Sequence, residues 1–362
     1  MHLSGIITRL LELNLPFVCY RLPAARKPVL LSGGEFEQLA SPLEASGRKG
    51  FIVVPFDAAA RDSVLFFQPQ SEHQGWYHDL QFPAAPEGSE WLPEASALPV
   101  SVNYDQYAAQ AVSMIRAMKQ GDLKKVVLSR VIDHSLPDDF QAGTFFRKLC
   151  DKYPHAFVSV FNDGKGRCWM GASPEMLLQI NHQHGQTVSL AATQPVSVER
   201  TAILTWKQKE TLEQELVSEY IRKTLAGNHI SQVQEGPLET LIAGPVAHLR
   251  KSFDFSIPTG YEPLQLAMAL HPTPAVCGLP VGKALEMILT TEPHPRSYYS
   301  GFLGPVEGTA HTELFVNLRC MQVIGRKGFL YVGGGLLPAS DIELEWLETV
   351  KKAETLLGML QK

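Results

Sequence analysis

The sequence predicts an α+β protein built from antiparallel sheets with separate helices. Two observations indicate this class. Residues 157–161 and 168–172 are apolar runs on either side of the turn sequence NDGKG at 162–166, a pattern typical of a β-hairpin. Elsewhere, strand-like and helix-like runs do not alternate regularly as they do in a parallel sheet, and no internal repeat is present.

The first half of the chain divides at a proline-rich stretch. About 80 residues with strand-like apolar bursts, such as 51–56, precede residues 83–99, which have no periodicity and predict an extended connector. A helix is predicted over 104–120 because apolar residues recur on one face, with Gly121 as its stop. Residues 125–132 are rich in β-branched side chains and predict a buried strand. The apolar face of the helix predicted over 104–120 consists of Tyr107, Ala111, Met114, Ile115 and Met118.

Four further elements are predicted in the second half. Residues 205–225 read as a charged amphipathic helix, with Leu212, Leu216 and Tyr220 as its apolar stripe. Residues 315–323 and 328–332 predict strands, and 341–360 predict a closing helix.

Composition narrows the class of protein. The 362 residues are enough for about two domains or one large one, and 45% of them are apolar. A net charge of −5 argues against nucleic-acid binding through bulk positive charge. No apolar run reaches the roughly 18 residues of a membrane span, and the five scattered cysteines indicate neither a disulfide framework nor a zinc site. These observations predict a soluble cytoplasmic protein with no membrane or nucleic-acid partner.

Two predicted helices each carry a pair of glutamates three residues apart. The pairs are Glu210 with Glu213 and Glu345 with Glu348. This spacing places both carboxylates on one helical face. Two such faces opposite each other would supply the oxygen ligands that Mg²⁺ prefers. For either pair alone, a solvated acidic surface is the more common explanation.

Two other residues are candidates for acid–base chemistry. Lys125 opens an apolar strand, where a lysine is destabilised as a cation and can act as a base near neutral pH. Glu175 lies just beyond a predicted strand, a frequent position for catalytic side chains. From spacing alone, an ordinary strand-end lysine and a solvent-facing turn glutamate are the commoner outcomes.

Three further places are candidates for ligand binding. Arg319 lies in an apolar segment and needs an anionic partner, either a substrate carboxylate or a structural acid. The triplet at 333–335 follows a strand, and its glycines offer backbone N–H groups to an anion, although it lacks the spacing of a dinucleotide site. His271 stands in a rigid HPTP turn, where it either orients a substrate hydroxyl or caps the loop.

From about residue 100 to the end, the sequence resembles the chorismate-utilising enzymes. This family includes isochorismate synthases, salicylate synthases and the large subunits of anthranilate and aminodeoxychorismate synthases. Eight blocks carry the resemblance and occur in the family's order. They are KVVLSR at 125–130, GASPE at 171–175, LAAT at 190–193, EQELV at 213–217, LHPTP at 270–274, RSYYSG at 296–301, LR at 318–319 and GGGLLPASDIELEWLETVKK at 333–352.

The resemblance implies a fold, a substrate and a metal. The fold is one large α+β domain over 1–362, in which two large antiparallel sheets form the core with helices outside. Residues 1–98 are its variable part and 100–362 its chorismate-binding catalytic part. The substrate is chorismate and the cofactor is Mg²⁺, with Glu213 and Glu348 as principal ligands, assisted by Glu210 and Glu345. The substrate pocket is expected to contain Arg319, as the clamp on the enolpyruvyl carboxylate, together with Lys352, Thr193, Ala191, Gly333, His271 and Tyr299.

Two positions indicate which reaction is expected. Family members that add water have a lysine where Lys125 stands, whereas members that add ammonia usually have glutamine. Aminodeoxychorismate synthases use a nucleophilic lysine where this chain has Ala191. The resemblance therefore implies that Lys125 activates a water that attacks C2 while Glu175 protonates the departing C4 hydroxyl. The product would be isochorismate, for menaquinone synthesis, and no obligate glutaminase subunit is expected.

Several alternatives stay open from the sequence. Salicylate synthases and the isochorismate synthases of siderophore pathways are similar to this chain in the same residues, and a non-catalytic chorismate-binding protein is a more distant option. The chain departs from the family at Gln214, where histidine is usual, and at Ala192, where glycine is common. Ser297-Tyr298 and Cys277 also differ from the usual residues.

Overall fold

The fold is described by a computed structural model that covers residues 1–57, 62–82, 98–121, 123–196, 204–243 and 246–360. Two large antiparallel sheets and several helices make up the described part, which confirms the predicted α+β class. The helices are α1 Leu3–Glu12, α2 Tyr104–Gln120, α3 Ala142–Lys152, α4 Gln208–Gly227, α5 Pro263–Leu270, α6 Val281–Thr291 and α7 Ile342–Leu360.

Across the described ranges, the first sheet has nine strands in the spatial order β15-β7-β19-β18-β9-β8-β1-β2-β6. Every neighbouring pair is antiparallel. Its strands are β1 Phe17–Arg21, β2 Val29–Ser32, β6 Ser71–Gln74, β7 Lys125–Ser135, β8 Phe157–Asn162, β9 Cys168–Ser173, β15 Gly278–Leu279, β18 Cys320–Ile324 and β19 Lys327–Leu336.

The second sheet has ten strands within the described residues. Nine follow the order β12-β14-β11-β10-β17-β16-β4-β5-β3, and β13 also pairs with β14. Its strands are β3 Phe36–Leu39, β4 Lys49–Val54, β5 Val64–Phe67, β10 Met176–Asn181, β11 His184–Pro195, β12 Gln234–Glu235, β13 Glu239–Ala243, β14 Val246–Ser256, β16 Phe302–Glu307 and β17 His311–Val316.

Aromatic side chains from both sheets form the core between them. Phe157 of β8 stacks on Phe315 of β17 with ring centroids 4.2 Å apart, and Trp169 of β9 is almost fully buried. The helices cover the outer faces: α1 and α3 lie over the first sheet, and α4 and α5 lie over the second. The predicted arrangement of two packed sheets with helices outside is therefore confirmed.

The local predictions with strong sequence signals are confirmed. Helix α2 spans the predicted residues, buries the predicted apolar face and begins with a capping box between Asn103 and Gln106. The hairpin of β8 and β9 is closed by Asp163, whose carboxylate accepts hydrogen bonds from the backbone N–H groups of Lys165 and Arg167. The five cysteines are free and buried.

The predicted stripe of helix α4 is wrong at Leu212, whereas Tyr220 packs against the core as predicted. Leu212 is 57% exposed, and the buried face carries Val217 and Ile221 together with the polar Gln214 and Ser218. These polar residues face hydrogen-bonding groups on β11, so a face selected by hydrophobicity alone misses them.

The single strand predicted over 315–323 is also wrong. It is two strands, β17 and β18, which belong to different sheets and are joined by residues 317–319. Arg319 takes a left-handed backbone conformation with φ of +48°, which ends the extended run and turns the chain from one sheet into the other. Arg319 therefore does not lie on a strand face with Asn317 and Met321, as alternation along one strand would require.

The N-terminal strands continue both sheets. β1 pairs with β8 in the first sheet, and β4 pairs with β16 in the second. Most of the predicted connector, 83–97, lies outside the described residues. No helix of the described chain is long and apolar enough to cross a membrane.

Candidate active site

The candidate site lies where the chain crosses between the two sheets. One crossing, at Pro174 and Glu175, leads from β9 to β10, and the other, at 317–319, leads from β17 to β18. The two crossings are tied together, because the Val316 N–H donates to the Glu175 carbonyl (3.0 Å) and the Ala172 N–H donates to the Arg319 carbonyl (3.1 Å). Glu175 and Arg319 are thus brought to one pocket from positions 144 residues apart.

The pocket between these crossings collects most of the predicted site residues. Its wall comes from β11, β14, β19, α4 and α7 as well as from the two crossings. The predicted residues that line it are Glu175, Ala191, Thr193, Glu213, Tyr299, Arg319, Gly333, Glu348 and Lys352.

Glu175 is the candidate acid of this pocket. Its side chain is buried, and burial raises the pKa of the carboxyl group to about 8 even though Lys125 and Lys352 act in the opposite direction. Because desolvation disfavours the charged form, Glu175 is protonated at neutral pH. The side chain can therefore donate a proton to a bound molecule.

Lys125 contacts Glu213, the α4 glutamate predicted to bind the metal. Its Nζ lies 2.8 Å from Glu213 Oε1, and the lysine side chain is only 1% exposed. Burial would raise the pKa of Glu213, but Lys125, which donates a hydrogen bond to it, holds that pKa below its usual value with help from Lys352 and Lys209. The pair joins the start of β7 to the first half of α4.

The carboxylates of α7 are also paired with lysines. Glu348 lies 2.7 Å from Lys352 Nζ, which in addition donates to the Gly333 carbonyl (2.9 Å). Glu345 accepts hydrogen bonds from Lys209 Nζ of α4 (3.0 Å) and from Ser340 Oγ (2.6 Å). Burial and the neighbouring Glu348 raise the pKa of Glu345 above its usual value.

Gly335 makes room for the carboxylate of Glu213, and Gly334 lies beside the two carboxylates of α7. A Cβ on Gly335 would lie 2.8 Å from Glu213 Oε1, and a Cβ on Gly334 would lie 3.7 Å from oxygens of both Glu345 and Glu348. The glycines are part of β19, which pairs with β7, and a side chain on Gly335 would push Glu213 away from the strand. The anion cradle of backbone N–H groups stays a prediction.

The four glutamates predicted as metal ligands offer the oxygen donors that a hard divalent cation prefers. Every donor is a carboxylate oxygen, and Glu210 Oε2 is buried without a hydrogen-bond partner. Three of the four sit around the space left by the glycine pair, each held by a lysine. In the described part of the chain, no three acidic, histidine or cysteine side chains are already grouped as a metal centre.

Arg319 is a buried cation that pairs with no carboxylate among the described residues. Its guanidinium donates to Thr355 Oγ1 (2.8 Å) and to His248 Nε2 (3.2 Å). Burial lowers the pKa of Arg319 to about 10, so the side chain is still charged at neutral pH. A buried guanidinium anchored by neutral groups is suited to bind an anionic ligand.

His248 is a site residue that sequence reasoning missed. Burial, together with Arg319 and Lys352, holds the pKa of its imidazole well below the usual value, so the ring is neutral. Its Nδ1–H donates to the Ala192 carbonyl (3.0 Å), an assignment that leaves Nε2 free to accept from Arg319. No motif marks this residue, because its partners come from β11 and from the second crossing.

The departures at Ala192 and Gln214 have separate consequences. Ala192 has φ of +60° at a bulge in the β11–β14 pairing, which turns its carbonyl toward His248. Gln214 faces away from the pocket and donates to the carbonyl (3.1 Å) and hydroxyl (2.7 Å) of Ser189, which fixes α4 on β11. Neither departure removes a group from the pocket.

Four predicted residues lie outside the pocket wall. Lys125, Glu210 and Glu345 stand behind it, and His271 is placed elsewhere. His271 donates from Nε2 to the Phe56 carbonyl (3.1 Å), and burial lowers the pKa of its ring to about 4. Its position is that of a loop anchor, one of the two roles expected for it.

The pocket combines the protonated carboxyl group of Glu175 with Arg319, which has no carboxylate partner within the described chain, and the buried Lys125 stands behind its wall. Comparison with known families identifies the class. Residues 69–361 match the family described as chorismate binding enzyme, and the chain belongs to that family. The resemblance found in the sequence is thereby confirmed.

Individual relatives are similar over most of the chain. The isochorismate synthase EntC of Escherichia coli K12 is 30% identical over 273 residues, covering 74% of this chain and 69% of its own. The isochorismate synthase DhbC of Bacillus subtilis is 29% identical over 348 residues, covering 90% and 85%. The solved structure of MenF, the menaquinone-specific isochorismate synthase of Escherichia coli, is similar to this chain with a TM-score of 0.79 and 20% identity. The match covers 96% of this chain and 89% of MenF.

Proposed function

We propose that this protein is an isochorismate synthase, which converts chorismate to isochorismate by adding water at C2 with loss of the C4 hydroxyl. The observation that carries the proposal is that Glu175 and Arg319, with Lys125 behind Glu213, converge on one pocket. These three residues would supply the acid, the base and the carboxylate clamp that the reaction requires. The names of the relatives EntC and DhbC support the same activity.

Glu175 serves as the general acid. The carboxyl group holds its proton at neutral pH because its pKa is about 8. It gives this proton to the C4 hydroxyl, which leaves as water while the ring double bonds shift. The resulting carboxylate is close enough to Lys125 and Lys352 for both to stabilise its charge.

Lys125 serves as the general base. It removes a proton from the water that attacks C2, so that one proton is taken up and one is delivered in each turnover. Its side chain is fixed by burial and by Glu213, which places Nζ at the strand wall next to Gly335. Such fixed placement lowers the entropic cost of bringing base and water together.

Arg319 binds one of the two substrate carboxylates. Thr355 and His248 hold two of its nitrogens, which leaves the guanidinium oriented before substrate arrives. Lys352, Thr193, Ala191, Gly333 and Tyr299 complete the proposed substrate wall.

Mg²⁺ is the proposed cofactor. Glu213 and Glu348 would hold it as principal ligands, with Glu210 and Glu345 assisting. When bound, the cation supplies positive charge that anchors the ring carboxylate and offsets negative charge in the transition state. Exhaustive chelation is expected to abolish turnover and added Mg²⁺ to restore it; full activity after chelation would reject this glutamate assignment.

The reaction is tested by incubating the purified protein with chorismate and Mg²⁺ and separating the products by chromatography. Isochorismate as the sole product is the expected result. Salicylate with pyruvate would identify a salicylate synthase, and an aminated product with ammonium would identify an amidating enzyme. Unchanged chorismate with measurable binding would identify a non-catalytic binding protein.

The proposed pathway is menaquinone synthesis. Isochorismate is the same product whichever pathway consumes it. The assignment to menaquinone synthesis therefore has to be tested in the cell. Deletion of the gene is expected to remove menaquinone, and supplied isochorismate is expected to restore it. Normal menaquinone in the deletion strain, with loss of an iron-chelating product, would assign the enzyme to siderophore synthesis.

A further inference from the structure

Three lysines surround the carboxylates of the proposed metal site, and one of them has no assigned role. Lys125 pairs with Glu213 and Lys352 pairs with Glu348, and the proposed function uses both lysines. The third, Lys209, pairs with Glu345 at 3.0 Å. It neither lines the pocket nor contacts the groups proposed to bind chorismate.

Lys209 connects the two helices that carry the glutamates. It lies in the first turn of α4, directly before Glu210, and reaches across to α7. Its charge acts on Glu345 and also on Glu213 and Glu348, so it faces the same group of carboxylates as the proposed cation. The ammonium group of Lys209 therefore already balances the charge of Glu345, a carboxylate that the proposed metal site assigns to the divalent cation.

Exposure separates Lys209 from the other two lysines. Its side chain is 45% exposed, compared with 1% for Lys125 and 16% for Lys352. An ion pair with an exposed lysine is weaker than one between two buried groups, and the lysine side chain can move into solvent when a competing cation arrives. Lys209 is therefore the counter-ion that a metal displaces most easily.

We propose that Lys209 competes with Mg²⁺ for Glu345 and in this way sets the metal affinity of the protein. The inference rests on the proposed metal site. In the absence of metal, Lys209 neutralises Glu345 and holds α4 against α7. On metal binding it releases the carboxylate, so part of the metal's binding free energy is used to break this ion pair.

The test measures binding of Mg²⁺ alone by isothermal titration calorimetry, without chorismate. Lys209→Gln is expected to bind Mg²⁺ about three- to tenfold more tightly than the wild type, because one positive charge is lost beside the site. Raising the ionic strength is expected to reduce this difference, since salt screens an exposed charge. Lys209→Arg keeps the charge and is expected to bind as the wild type does.

Lys207→Gln is the matched control. Lys207 is exposed, lies two residues earlier on the same helix end and forms no ion pair with any described carboxylate. The substitution changes net charge by the same amount and is expected to change affinity less than Lys209→Gln. Equal affinities of the two variants, or weaker binding by Lys209→Gln, would overturn the inference.

Thermal unfolding supplies a second measurement that does not depend on calorimetric affinity. Without metal, Lys209→Gln is expected to melt below the wild type, since Glu345 and Glu348 then repel without the lysine. With saturating Mg²⁺ the two proteins are expected to converge. If the wild type binds no Mg²⁺, the proposed metal site itself is rejected. If the wild type binds Mg²⁺ and Lys209→Gln binds it with the same affinity, only the competition by Lys209 is rejected.

Discussion

At the scale of single residues, Glu175 has the environment that most directly determines the chemistry. A carboxyl group in water is ionised at neutral pH, and only the desolvation at the first crossing keeps this one protonated. Glu175→Gln keeps the size and removes the proton that can be delivered. Turnover is expected to be lost, with an unchanged circular dichroism spectrum and melting curve at low pH.

The same residue predicts a pH dependence of stability. Its pKa of about 8 in the folded protein lies above the ordinary value of 4.5, so the folded state holds the proton more tightly. The stability that Glu175 contributes is full below pH 4.5 and is lost as the pH rises through about 8, with a steepest slope of about 1.4 kcal/mol per pH unit.

Denaturant unfolding at a series of pH values checks this slope. The free energy of unfolding of the wild type is expected to fall relative to Glu175→Gln between pH 4.5 and 8. Parallel curves for the two proteins would show that Glu175 titrates normally and would remove the basis for its role as an acid.

Arg319 supports a prediction about substrate binding. A lysine at this position keeps the charge, but its donors all lie on one nitrogen and cannot reproduce the planar fork whose separate nitrogens hold Thr355 and His248. Arg319→Lys is expected to raise KM for chorismate about tenfold or more, because a charge-assisted hydrogen bond is lost. Steady-state kinetics measure the effect, with Arg326→Lys, an exposed arginine paired with Asp138, as control. An unchanged KM would assign Arg319 to structure alone.

At the scale of elements, the placement of α4 depends on polar contacts. Gln214 is 2% exposed and holds Ser189 through two hydrogen bonds, and Ser189 in turn contacts Ser218 at 3.0 Å. This polar contact between helix and strand fixes the rotation of α4 and therefore where Glu213 points. It also explains why a hydrophobic pattern gives the wrong face.

Gln214→Ala is expected to lower the free energy of unfolding by about 1–3 kcal/mol, because buried groups of Ser189 lose their partner. Leu212→Ala on the same helix is the control, and it is expected to stay within about 0.5 kcal/mol of the wild type since Leu212 is exposed. Denaturant unfolding measures both. A larger loss for Leu212→Ala would restore the apolar stripe predicted from the sequence.

At the scale of the whole molecule, the N-terminal part completes both sheets. β1 covers the edge of β8, β4 covers the edge of β16, and Phe51 and Phe67 enter the core between the sheets. The family match begins at residue 69, yet strands that precede it pair with strands of the matched part and add aromatic side chains to their common core.

Removal of residues 1–98 is therefore expected to abolish cooperative folding. Two unpaired sheet edges and part of the aromatic core would be exposed to water. Thermal unfolding of the shortened chain, with the full chain as reference, measures this. Co-expression of the missing part as a separate chain is expected to restore folding, whereas a cooperative transition in the shortened chain alone would show that 100–362 is an independent domain.

The sequence predicted the elements whose signals are local. The face of α2, its stop near Gly121 and the hairpin at 162–166 each depend on residues within one element, and the structure confirms them. The two glutamate pairs could also be predicted, because i,i+3 spacing places both carboxylates of a pair on one helical face. The ion pair between Lys209 and Glu345 could not be predicted, since it joins two helices more than a hundred residues apart.

The sequence by itself determined the fold class, the family and most of the residue types in the pocket, because these depend on periodicity and on motifs in a fixed order. Only the tertiary structure decided where Arg319 lies, that His248 supports it, and that Glu175 keeps its proton. The physical reason is that these properties arise where two strands leave one sheet for the other. Burial and hydrogen bonds at such a crossing depend on neighbours that are distant in the chain.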